Sequence, residues 1–280
     1  MEVFTSVQSL RLFLHQQRKQ EKSIGLVPTM GALHAGHISL LEKANMENDI
    51  SVCSIFVNPT QFNNPEDLAK YPRTLEADLE LLTNSNCSAV FAPSAEEMYT
   101  ESPMMSINFG SLETVMEGAS RPGHFNGVGI VVSKLFNIVQ PDRAYFGQKD
   151  LQQVSVIKRL VTDLSFPISL VICPTVREQN GLAMSSRNKR LSDIEKDLAS
   201  NIYRILYTAK EKITSGKDIE RVKQEAVDQF SELTEFTLDY FEVTDLNTLL
   251  PLTTSGSAGN NAICVAVYLG QVRLIDNILF

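Results

Sequence analysis

Residues 28–37 read Pro28-Thr29-Met30-Gly31-Ala32-Leu33-His34-Ala35-Gly36-His37. The stretch follows a short apolar run, Ile24-Gly25-Leu26-Val27, and precedes an amphipathic one that opens Ile38-Ser39-Leu40-Leu41. That order predicts a strand, a glycine-broken turn and a helix, the unit from which parallel α/β sheets are built. Gly31 and Gly36 allow backbone angles closed to other residues and let a ligand come close to the main chain. A helix that starts near Gly36 or His37 aims unpaired N–H groups and the positive end of its dipole into the turn, which favours phosphate. One helical turn separates His34 from His37, so both imidazoles fall on the same side of such an anion. As a metal clamp the pair is short of ligands. Zinc sites take about four, whereas the chain has four histidines in all and its four cysteines form no close pair.

The same alternation continues outward. An amphipathic helix is expected over 6–22, a strand over 24–29 and a helix over 37–47. Ile50 to Val57 is a nearly continuous apolar run, as a strand buried on both faces requires. It ends in the polar loop Asn58-Pro59-Thr60-Gln61-Phe62-Asn63-Asn64-Pro65, at the strand end where ligands gather in open parallel sheets. A helix is expected from Arg73 to Ser85 with Leu75, Leu79 and Leu82 inward, then a strand at 89–92. Residues 94–118 carry no regular pattern. Gly123 to Gly127 read as a loop before an apolar helix, 128–139, closed by Pro141. A strand at 143–146 leads into Gly147-Gln148-Lys149-Asp150, a second strand-to-helix turn, and a helix through Leu164. The strand 168–173 closes the series.

Strands alternating with helices of this length imply right-handed crossovers and a Rossmann-like, mostly parallel sheet with helices on both faces. After Val176 the pattern changes. Asn180-Gly181 is a turn, Met184-Ser185-Ser186-Arg187-Asn188 a polar loop, and helices are expected at 193–214 and 218–233. Strands follow at 239–244 and 262–268, with a polar Ser-Gly-Asn-rich loop at 253–261. The expected organisation is a catalytic domain, 1–176, and a smaller C-terminal α+β domain, 177–280, placed as a lid.

The chain has 280 residues, 43% hydrophobic and 21% charged, with a net charge of −8. With no lysine–arginine stripe, the acidic balance disfavours nucleic acid as the main partner. No apolar run approaches the length of a membrane span, and the first thirty residues lack the apolar core of a secretory signal. Cys53, Cys87, Cys173 and Cys264 lie in or beside apolar runs, as buried free thiols of a reducing cytoplasm do.

Five motifs together carry a resemblance: P-T-M-G-A-L-H-A-G-H at 28–37, F-V-N-P-T-Q-F at 56–62, G-H-F-N-G-V at 123–128, F-G-Q-K-D at 146–150 and M-S-S-R-N at 184–188. The first contains the H-x-G-H (HIGH-type) signature of the nucleotidyltransferase superfamily. In this order the set resembles the pantothenate synthetase, or pantoate–β-alanine ligase, family. The resemblance implies attack of pantoate carboxylate on the α-phosphorus of ATP, then attack of the β-alanine amine on the pantoyl adenylate. The products are pantothenate, AMP and pyrophosphate.

Carried over motif by motif, Met30, Gly31, Ala32, Leu33, His34, Ala35, Gly36 and His37 hold the nucleotide. His34 and His37 contact phosphate, and His37 is the proton donor or charge stabiliser. Gly147, Gln148, Lys149 and Asp150 bind ATP, with Lys149 on phosphate and Asp150 on ribose. Val176 lies on the adenine side, and Met184, Ser185, Ser186 and Arg187 close over the triphosphate. Gln61 and Gln153 hydrogen-bond pantoate, Gln61 is also implied for β-alanine, and Asn58 assists. Mg²⁺ accompanies ATP, and Asp78 is a candidate ligand. A cytoplasmic homodimer is the expectation from the family.

Read alone, several of these motifs stay open. Asp150 could be an N-cap with Lys149 a solvated charge, and Ser185-Ser186-Arg187 a helix-preceding cap cluster. Two other functions remain at this stage. A plain nucleotidyltransferase would need a basic pocket for a phosphorylated acceptor, where the F-V-N-P-T-Q-F loop offers neutral amides. A catalytically silent nucleotide-binding protein would not need the full set of chemical groups present here.

Overall fold

The computed structural model describes residues 1–254 and 259–280. The polar loop expected at 253–261 lies in part, at 255–258, outside the described residues. The chain divides into two compact units, one of residues 1–148 and 153–174, the other of 149–152 and 175–280.

The first unit is built on six parallel strands: β1 (Glu2–Phe4), β2 (Ile24–Thr29), β3 (Ile50–Ile55), β4 (Ala89–Phe91), β5 (Arg143–Gly147) and β6 (Ser169–Cys173). Their order across the sheet is β1-β4-β3-β2-β5-β6. Between them run α1 (Val7–Arg18), α2 (Ala35–Glu47), α3 (Pro65–Lys70), α4 (Leu75–Asn84), α5 (Ala95–Met98), α6 (Met116–Ser120), α7 (His124–Val139) and α8 (Leu151–Asp163). Val27, Cys53, Val90 and Tyr145 pack with Leu40, Leu41 and Ala44 of α2 and Leu82 of α4. Successive strand residues point to opposite faces, and Leu26 and Ala144, neighbours of Val27 and Tyr145, have no exposed surface. Both faces are therefore covered, which is why these strands read as unbroken apolar runs. All four cysteines are buried and free. Burial pushes the thiols of Cys53, Cys87 and Cys173 up, which keeps them protonated and unreactive.

The second unit pairs α9 (Asp193–Thr214) and α10 (Ile219–Glu232) with an antiparallel sheet of β7 (Phe236–Asp245), β8 (Asn261–Leu269) and β9 (Val272–Leu279), β8 in the middle. Ile202, Leu206, Ala209, Val222 and Phe230 of the helices meet Phe241, Val243, Ile263, Val265 and Leu274 of the sheet in one apolar core. Ser192 and Glu195 form a reciprocal capping box that starts α9.

Several local expectations are corrected. Helix α7 begins at His124, so Gly123 alone precedes it and Gly127 is helical. Leu75 is 43% exposed; of the three expected inward leucines only Leu82 is fully buried. Short strand β1 and the whole of β9 had no sequence signal. Among the described residues no helix is long and apolar enough to cross a membrane.

Candidate active site

The sheet order reverses at β2. From β2 the chain steps through β3 and β4 to one side, and β5 and β6 lie on the other. Strands β2 and β5 pair only through Gly25–Arg143 and Leu26–Ala144. Each then runs three residues further, to Thr29 and Gly147, without pairing to the other. The carboxyl ends of the two central strands thus splay apart, leaving the crevice at which open α/β sheets bind ligands.

The 28–37 stretch fills one wall of that crevice. Gly31 has φ +78° and Ala32 φ +50°, so two successive residues are left-handed. For Ala32 this costs about 1–2 kcal/mol, and the turn persists because it is tied down. Asp78 of α4, 1% exposed, accepts from Ala32 N at 2.9 Å and Leu33 N at 2.8 Å, and Thr74 Oγ1 donates to it at 3.2 Å. The Thr29 hydroxyl accepts from Gly31 N and donates to Ser54 O. His34 is the N-cap of α2: its Nδ1 accepts from Gly36 N at 3.2 Å. An accepting Nδ1 carries no proton, so the N–H of the neutral ring is at Nε2. The His34 and His37 rings lie side by side, centroids 4.1 Å apart. The helix therefore starts one or two residues earlier than expected, and His34 both ends the turn and faces it.

Beside this wall stands the single turn of 3₁₀-helix Pro59–Gln61. Gln61, 6% exposed, points its amide at Met30, with Nε2 3.2 Å from Sδ. Asn58 is 1% exposed and fully engaged. Its Nδ2 donates to Gln61 Oε1 and Gly127 O, and its Oδ1 accepts from the Thr60 amide and hydroxyl and the Tyr99 hydroxyl. The structure thus places Asn58 as the residue that orients Gln61. Asp78 likewise has a task other than metal binding, because its oxygens hold the Ala32–Leu33 turn. Gln153 is half-buried at the start of α8.

In the second unit, Lys149 Nζ lies 3.7 Å from Asp150 Oδ1, and the Lys149 carbonyl accepts from Asn277 Nδ2 at 2.8 Å. Residues 176–184 form a tight hairpin. Met184 N donates to Val176 O, Glu178 N to Leu182 O, and Gly181 sits at φ +93° in the turn. Arg177 locks it: its guanidinium meets Asp276 at 2.6 and 3.0 Å, donates to Gly181 O, and stacks 3.8 Å over the Tyr203 ring. The turn expected at Asn180-Gly181 is thus present and tied from both strands of the hairpin. Ser185 is the N-cap of the 3₁₀ turn Ser186–Arg190, accepting from Arg187 N, and Asn188 is buried against Glu178 and Ala183 O. Ser186 and Arg187 are half-buried, while Lys189 and Arg190 are exposed. Asp276 and Asn277, central to this arrangement, gave no sequence signal beyond being polar residues in an otherwise apolar C-terminal run.

An open parallel sheet with a helix N-terminus and two adjacent histidines at its switch point defines an α/β protein of the nucleotide-binding, Rossmann-like class. The comparisons narrow the class. The family model described as pantoate–beta-alanine ligase matches residues 2–279, and this chain belongs to that family. A pantothenate synthetase of Cytophaga hutchinsonii is 48% identical over 279 residues, 98% of each chain. The crystal structure of pantothenate synthetase from Thermus thermophilus superposes with a TM-score of 0.93 at 43% identity over 99% of each chain. The pantoate–beta-alanine ligase from Francisella tularensis, solved in complex with beta-gamma ATP and beta-alanine, gives a TM-score of 0.83 at 39% identity. That match covers 100% of this chain and 97% of the other.

Proposed function

We propose that this chain joins pantoate to β-alanine at the expense of ATP, through a pantoyl adenylate, with release of AMP and pyrophosphate. The observation that carries this is the pairing, at one end of the sheet, of a helix N-terminus flanked by two histidines with a neutral amide. His34 and His37 crown α2, and Gln61 stands beside Met30. The amide suits the hydroxyls and carboxylate of pantoate. A phosphorylated acceptor would call for cations there, so the plain nucleotidyltransferase reading is the weaker one. The family relationship and the ligands held by the Francisella tularensis structure support the same conclusion.

In the first step a pantoate carboxylate oxygen attacks the α-phosphorus, and the bond to the bridging oxygen breaks to release pyrophosphate. Charge that builds on the phosphoryl oxygens is met by the α2 N-terminus, His34 and His37. We assign Gly147 to Asp150, Val176 and Met184 to Arg187 to ATP, with Lys149, Ser185, Ser186 and Arg187 on phosphate. Gln61 and Gln153 are assigned to pantoate. In the second step the β-alanine amine attacks the acyl carbon, AMP leaves, and the amine loses its proton. Of the assigned groups, those up to Val176 lie in the proposed catalytic domain, 1–176, and Met184 to Arg187 lie in the proposed smaller domain, 177–280.

Mg²⁺ is proposed as the ion that accompanies ATP. Among the described residues no group of three or more His, Cys, Asp or Glu forms a metal cage, and Asp78 is committed to the turn. The ion would therefore ride on phosphate oxygens and water, its usual habit. A cytoplasmic homodimer completes the proposal, on family grounds.

ATP and pantoate alone should support exchange of labelled pyrophosphate into ATP, because activation does not need the amine. Exchange that appears only when β-alanine is added would rule out a free-standing adenylate.

A further inference from the structure

The G-H-F-N-G stretch at 123–127 supplies no group to the ATP chemistry above, yet it grips the segment that carries Gln61 at three points. His124 is 6% exposed, and its Nδ1 lies 2.8 Å from the backbone carbonyl of Gln61. A carbonyl only accepts, so Nδ1 bears the proton and Nε2 is the accepting nitrogen. Arg121 Nη1, 3.4 Å away, is the donor that faces Nε2, and the Glu117 carboxylate lies 3.9 Å from that same Arg121 nitrogen. The second grip is the Asn58 amide, which bridges the Gly127 carbonyl and Gln61 Oε1. The third is steric. A Cβ on Gly127 would lie 2.4 Å from Thr60 O and 2.6 Å from Gln61 N, so α7 rests directly on the Thr60–Gln61 peptide.

The Gln61 peptide is thus held at its nitrogen end by the bare face of Gly127 and at its carbonyl by His124. A side chain that must present an amide to a small polyhydroxy acid depends on where its own backbone is pinned. We propose that His124 is a positioning residue for pantoate. It does not touch the substrate; through the Gln61 carbonyl it fixes the place from which the Gln61 amide reaches it. The proposal rests on the assignment of Gln61 to pantoate. A purely structural buried histidine would contribute to stability and leave the use of all three substrates equally affected.

The test is steady-state kinetics of His124→Ala, His124→Asn and Gly127→Ala, with thermal melting of each. His124→Ala should raise the KM for pantoate about tenfold, the loss of one buried hydrogen bond to a carbonyl left unpaired. The KM for ATP should stay near that of the wild type. His124→Asn, whose amide N–H can take the place of Nδ1–H, should recover most of the loss. Gly127→Ala should show the same pantoate-selective defect with the histidine intact. An unchanged pantoate KM in folded His124→Ala overturns the proposal, as does an equal rise for ATP and pantoate. Should His124→Ala not fold, Gly127→Ala and His124→Asn decide: a pantoate-selective defect in the first and near-normal use in the second support it, and any other pattern overturns it. If the wild type itself forms no amide from pantoate and β-alanine, the assigned reaction fails; if the wild type is active and the variants match it, only the role of His124 does.

Discussion

His37→Ala is expected to lower kcat by about two to three powers of ten while the KM for ATP changes only a fewfold. The ring stands on the first turn of α2, beside His34 and at the mouth of the strand crevice. The phosphate contact proposed for it would strengthen as charge develops on the phosphoryl oxygens, so its removal should act on the transition state more than on bound ATP. The fold should survive: the turn is held by Asp78 and Thr29, and the helix is capped by His34 rather than His37. Steady-state kinetics with a melting curve as control checks this. A normal kcat with a raised KM would make His37 a ground-state binder only.

Arg177→Ala should destabilise the protein by about 3–5 kcal/mol, more than any other single loss of a charge in the second unit. The substitution leaves Asp276, 4% exposed on β9, without its bidentate partner. Burial pushes the Asp276 carboxyl up from its ordinary value, and Arg177 pulls it down. Without the guanidinium, burial acts with little opposition and the folded-state value rises further. A carboxyl whose folded value lies above its unfolded one favours the folded state below the ordinary carboxylate range and loses that contribution as pH rises through the folded value. The wild-type carboxyl is already raised, so the deficit of Arg177→Ala should widen only above the wild-type folded value, toward neutrality. Adding Asp276→Asn should recover part of it at neutral pH. Urea unfolding followed by circular dichroism across that range measures both effects. A deficit independent of pH would mean that Asp276 is not charged at the point of loss.

The parallel sheet was legible because its strands are buried on both faces, which leaves apolar runs too consistent to miss. The start of α7 was not. Gly127 looks like a loop residue in sequence, but it is a glycine for packing: an added Cβ would strike Thr60 and Gln61. Strand β9 was hidden for a related reason. Asp276 and Asn277 interrupt its apolar pattern because they hold Arg177 and the Lys149 carbonyl.

The chemical motifs were legible as residue types, and the supports that aim them were not. Asp78 reads from the resemblance as a candidate Mg²⁺ ligand. Only the fold shows it beneath two left-handed residues, accepting from the Ala32 and Leu33 amides. Asn58 reads as an assisting substrate residue from the resemblance, yet both ends of its amide are spent on Gln61, Gly127, Thr60 and Tyr99.

Attack of the pantoate carboxylate on the α-phosphorus of ATP leaves an isotopic trace. Pantoate labelled with ¹⁸O in its carboxylate, turned over with ATP and β-alanine, tests it in one measurement. An acyl adenylate passes one carboxylate oxygen to the phosphate of the departing AMP, so AMP should carry a single ¹⁸O for each amide formed. Label found in inorganic phosphate with ADP as co-product, or AMP without label, would mean that the carboxylate does not attack the α-phosphorus.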